Sequence, residues 1–151
     1  MANTQAMTTS FKTELLNGLH AFGTSVVRAS TTPDSYKAAL YLSSATVNAS
    51  TTAYTATGEV SGTNYTAGGV SVTFGTAPTA TGTTAYVTPS ASIVFSNVTL
   101  TTAFDAILIY NSSQANRSVS VHTFTSQTIT AGTLTLTMPT NDASNALIRL
   151  A

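Results

Sequence analysis

At 151 residues and 15.5 kDa the chain fits one domain, long enough to bury a core of its own. Only 7% of residues are charged, the formal net charge is zero and there is no cysteine. These values argue against the clustered basic surface that nucleic acid or an anionic membrane needs, and they remove disulfides, thiolate metal sites and cysteine nucleophiles.

Thr and Ser make up about a third of the chain, so hydroxyls supply the polar surface that charges usually supply. The apolar share of 42% is ordinary, which sets the composition apart from that of disordered chains. Met1 to Ser10 has neither the basic nor the apolar part of a signal peptide. No apolar run approaches the roughly 18 residues of a membrane span.

In chain order, residues 1–9 read as a polar arm. Phe11, Leu15, Leu19 and Phe22 then form one apolar stripe at helical spacing, with Ser10 as N-cap and Gly23 as stop. The spacing predicts a short helix that must pack on something to persist. Residues 1–25 are therefore expected to be an arm and short helix, and 26–151 a β-sandwich domain.

From Tyr36 the period changes to two. Tyr36, Ala38, Leu40 and Leu42 alternate as a strand with one buried face. Ser43 to Gly69 is rich in small residues and turn signals, notably Gly58–Gly62 and Gly68-Gly69. Val70, Val72 and Phe74 mark a second strand. Shorter ones follow at Ala85–Val87, Ile93–Phe95 running toward Leu100, Val119–Val121, Leu134–Met138 and Ala146–Leu150. Ala106–Tyr110 is the most continuously apolar run and reads as a central strand buried on both faces. Seven to nine short strands with turns between them predict an all-β fold, a single β-sandwich of jelly-roll or immunoglobulin-like type with the short N-terminal helix.

Catalysis needs groups that exchange protons, attack or hold metal. The carboxylates Glu14, Asp34, Glu59, Asp105 and Asp142 are scattered one per segment, giving no local dyad. His20 and His122 lie far apart, with no metal-ligand spacing around either, and His122 falls on the polar side of a strand. There is no nucleophile elbow, P-loop or dinucleotide fingerprint. The expectation is no enzyme, no catalytic or metal site and no cofactor. Carbohydrate binding is the main alternative for such a fold, and it is weakened by the absence of Trp and the scatter of the six tyrosines.

The stretch Ala53-Tyr54-Thr55-Ala56-Thr57-Gly58-Glu59-Val60-Ser61-Gly62-Thr63-Asn64-Tyr65-Thr66-Ala67-Gly68-Gly69 follows the strand Lys37–Leu42. Together with Ala106–Ser113, the Ala131-Gly132-Thr133 turn and Ser10–Gly18, it resembles small virion structural proteins of tailed bacteriophages. The resemblance implies a capsid decoration or cement protein, made in the host cytoplasm and carried on the outer surface of the head. Its implied partners are the major capsid protein and copies of itself, with no nucleic acid, membrane or small-molecule substrate. The alternative is a neck, tail or fibre-base adaptor or a receptor-binding module of the same virion. Within the motif, the glycines supply positive φ, and Glu59 is a candidate to accept backbone hydrogen bonds and fix the loop. The arm and the stripe Phe11, Leu15, Leu19 and Phe22 are the expected partner-binding surface.

Overall fold

The computed structural model describes residues 3–8, 11, 15, 19–24, 32–82 and 84–150. Among these the fold is nearly all β, with eight strands: β1 (Ala6–Met7), β2 (Tyr36–Leu42), β3 (Val70–Val72), β4 (Thr79–Thr81), β5 (Thr84–Val87), β6 (Ile93–Asn111), β7 (Arg117–Leu136) and β8 (Ile148–Leu150). They form two antiparallel sheets, one of five strands in the order β1-β7-β6-β2-β3 and one of three in the order β4-β5-β8.

The five-stranded sheet is buried on both faces around its centre, as the apolar run Ala106–Tyr110 requires. On one face, Tyr36, Ala38, Leu40, Ile107, Ile109 and Val119 pack with Val87 of β5 and Ile148 of β8, so the smaller sheet covers this side in a sandwich-like arrangement. On the other face, Ala39, Tyr41, Ala106, Leu108, Tyr110 and Val121 pack under Ala45, Val47 and Tyr54 of the long loop after β2.

Strands β6 and β7 are far longer than the separate short strands expected. They form one ribbon of 19 and 20 residues, closed at residues 112–116 by a turn with Ala115 and Asn116 at positive φ. Their register shifts repeatedly between Phe95 and Ala106, and Asn97 and Ala131 also sit at positive φ there. Such bulges bend a ribbon sharply. Both of its halves accordingly face one core: Ile93, Phe95, Leu134 and Leu136 pack in the same cluster as Ile107 and Ile109.

The N-terminal segment is part of this unit. β1 pairs with Val121 and Ser120 at the edge of β7, and Asn3 holds Val47 from the opposite side of the chain (Val47 amide to Asn3 Oδ1, 3.0 Å). Of the helix expected over the stripe, residues 12–14 and 16–18 lie outside the described residues, while Leu19 to Phe22 are irregular. Phe11 is fully buried. Its ring meets Phe22 edge-on at 5.9 Å, and Phe22 stacks on Tyr36 at 5.1 Å.

Candidate functional site

The motif from Ala53 to Gly69 is built around one carboxylate. The backbone turns at Gly58, where φ is +79°, and Glu59 bridges to Tyr41 of β2. Glu59 Oε2 accepts the Tyr54 hydroxyl at 2.6 Å; Oε1 accepts the Tyr65 hydroxyl at 2.7 Å and the Gly68 amide at 2.8 Å. The backbone bond expected of Glu59 is thus present, joined by two phenols that no motif or spacing links to it.

The knot is tied to the sheet at several points. The Leu40 amide donates to Tyr65 Oη at 3.0 Å, Tyr110 donates to the Gly68 carbonyl at 2.8 Å, and Tyr41 donates to the Thr55 carbonyl at 2.6 Å. Tyr54 stacks on Tyr110 with ring centres 4.8 Å apart. Gly69 has φ of +73°, and a Cβ there would fall 1.8 Å from the Ala38 carbonyl oxygen, so only glycine lets the loop lie this close to β2. Burial, with the nearby Glu59 charge, pushes the Tyr41 hydroxyl from 10.0 to about 12, and the same causes raise Tyr54, Tyr65 and Tyr110. Protonated phenols donating to a carboxylate make a structural clasp. No second acid joins them among the described residues, so the pairing that glycoside hydrolysis uses is not formed here.

The other described carboxylates are used in the same way. Asp34 accepts from the Ala21 amide, from Asn111 Nδ2 at 2.9 Å and from Gln114 Nε2 at 3.0 Å, tying the chain before β2 to the β6–β7 turn. Asp105 accepts from Asn3. Asp142 accepts from Thr140, from the Ser144 and Asn145 amides and from the Asn145 side chain, and these donors hold its carboxyl at about 2.

His20 is buried against Phe11, with Nδ1 3.1 Å from Asn111 Nδ2. His122 Nε2 lies 2.9 Å from Ser120 Oγ, between cavities of about 600 and 260 Å³. Burial pushes its imidazole below the ordinary value of 6.5. A serine–histidine pair turns nucleophilic when a third group orients the imidazole and the serine faces substrate. Ser120 is instead nearly fully buried, and no carboxylate is bonded to His122 among the described residues. No three His, Asp or Glu side chains converge as a metal would require, again among the described residues.

The stripe proposed from sequence as a docking surface is largely used within the chain. Phe11 and Phe22 belong to the core, and Leu15 packs against it, half-buried. Leu19 is half-buried too, outside the cluster that takes the other three. Among the described residues, the bent part of the ribbon is one stretch that faces outward. Thr101, Thr102 and Ala103 on β6 and Thr125, Ser126, Gln127 and Thr128 on β7 are exposed, and none of them is charged. Sequence reading missed this surface because it split each long strand in two.

Comparison of the chain with family models, with curated proteins and with solved structures finds no match.

Proposed function

We propose that the protein is a non-enzymatic virion structural protein of a tailed phage, a capsid decoration or cement protein that binds and stabilises the major capsid lattice. The observation that carries this reading is how its ionisable groups are used. Glu59, Asp34, Asp105 and Asp142 each hold a loop, while the exposed bend of the ribbon offers hydroxyls and amides without charge. Such a surface binds through fit, backbone pairing and buried area, which need no net charge. The motif that resembles phage virion proteins is also the stretch folded around Glu59, so the resemblance falls on the part of the chain that fixes the loop architecture.

In this reading the two-sheet fold is a jelly-roll or immunoglobulin-like sandwich with a short N-terminal helix, and the partners are the major capsid protein and copies of itself. Since Phe11 and Phe22 lie in the core, the lattice contact is assigned to the uncharged ribbon in place of the stripe. Quantitative mass spectrometry of purified particles tests it. A copy number in fixed proportion to the major capsid protein is expected on a decorated head. A handful of copies per particle would instead favour the neck, tail or fibre base, and absence from the particle would overturn the reading.

A further inference from the structure

Strand β7 carries β1 on its outer side only at Val121 and Ser120. From Thr123 onward no strand lies on that side among the described residues. Exposed sheet edges are usually guarded by Lys, by Pro or by being short. Thr123 to Thr137 has no Lys, Arg, Asp, Glu or Pro.

The first part of this edge is bulged and keeps no steady register. Its last part is regular: Leu134, Thr135 and Leu136 pair in step with Phe95, Val94 and Ile93. Here Thr133, Thr135 and Thr137 are exposed, and Leu134 and Leu136 are half-buried. Thr133-Leu134-Thr135-Leu136-Thr137 also reads the same in both directions.

We propose that a second copy of the chain pairs antiparallel along Thr133–Thr137, about a two-fold axis through Thr135. The palindrome is the reason to name a second copy. Under that axis Thr135 faces itself, Leu134 faces Leu136 and Thr133 faces Thr137, so each apolar side chain meets an apolar one. A two-fold contact demands this kind of self-complementary patch. Charged edges would set like charges together across the axis; this segment has none to oppose. Cross-strand threonines add hydroxyl contacts on the outer face. The inference goes beyond the virion reading and does not depend on it, since the pairing is a property of the chain alone.

A single short strand pair is an interface of the transient kind, so it is tested by trapping. The chain has no native cysteine, which makes an introduced one a unique reporter. Residues directly opposite on antiparallel strands have Cα atoms about 4.5–5.5 Å apart, within reach of a disulfide. Thr135→Cys is expected to form a disulfide dimer under mild oxidation about tenfold faster than Thr128→Cys, also an exposed site but on the bulged part, because pairing raises the effective thiol concentration. Equal rates at the two sites would overturn the proposal. A second arrangement guards against a fold defect in the first variant. Thr133→Cys mixed with Thr137→Cys should cross-link as a heterodimer faster than either variant with itself, and the reverse order would also overturn it.

Discussion

Tyr65 and Glu59 are joined by a 2.7 Å hydrogen bond whose phenolic oxygen also accepts the Leu40 amide of β2 at 3.0 Å. One hydroxyl therefore serves the loop carboxylate and a buried strand amide together. Tyr65→Phe removes both contacts and leaves the amide unsatisfied, which costs about 1–3 kcal/mol. Tyr54→Phe removes a bond to Glu59 alone, with no buried backbone group left behind, and should cost less than Tyr65→Phe. Urea unfolding of the two variants measures the difference, and an equal loss would show that the Leu40 amide does not depend on Tyr65.

The tyrosines around Glu59 give the fold an alkaline limit. Burial and the Glu59 charge favour their neutral forms, raising Tyr41 from 10.0 to about 12 and shifting Tyr54, Tyr65 and Tyr110 the same way. A pKa raised in the folded state contributes stability that is complete below 10.0 and is lost as pH rises through about 12 for Tyr41. Ultraviolet titration of the phenolates, followed beside circular dichroism, should show these tyrosines ionising together with loss of the β signal. Their ionisation below pH 10 in an intact fold would contradict the clasp.

His122 sets a separate acid limit. Its imidazole is held below 6.5 by burial, so the folded state favours the neutral ring. The associated stability is present above pH 6.5 and is lost as pH falls through the depressed folded value. Thermal melting at pH 7 and at pH 5 should show a drop in the parent protein and a smaller one in His122→Gln. The Asp142 contribution begins to be lost only below 3.8 and is gone as pH falls through about 2, so a loss first seen between pH 7 and pH 5 is not its doing.

Phe11 tests whether the N-terminal segment is an appendage. Its ring is fully buried among Phe22 and His20, and Phe11→Ala should cost about 3–5 kcal/mol by leaving a cavity. Leu15, half-buried, should cost less on truncation to Ala. A free-standing arm would make the Phe11 substitution nearly neutral in chemical denaturation.

Much of the sheet was legible in the sequence because alternation survives wherever one face is buried. Strand β2 falls on the residues whose period is two, and Ala106–Tyr110 is central and buried on both faces as its unbroken apolar run implies. The long ribbon was not legible, since each bulge adds a residue and flips the side chains that follow it. Read locally, the slip between Phe95 and Ala106 looks like an end and a new beginning. β1 is hidden in what looks like a polar arm, because two residues carry no period. Glu59 stands out as the one charge in its loop, and Gly58 and Gly62 signal turns, but nothing in the spacing says that these turns bring Tyr54 and Tyr65 to its carboxylate.

The pairing of β1 with β7 has a consequence for how the chain is made. Ala6 and Met7 meet Val121 and Ser120, so β1 leaves the ribosome well before the strand that fills its edge. The β6–β7 turn, by contrast, closes between neighbours and can form as soon as it emerges. Pairings this distant in sequence place the fold among slow, β-rich topologies. Until β7 and β8 have been made, the core cluster that Tyr36, Ala38 and Leu40 of β2 join lacks Val119 and Ile148. The nascent chain is then at its most exposed to aggregation, and the scarcity of charge gives it little repulsion to resist.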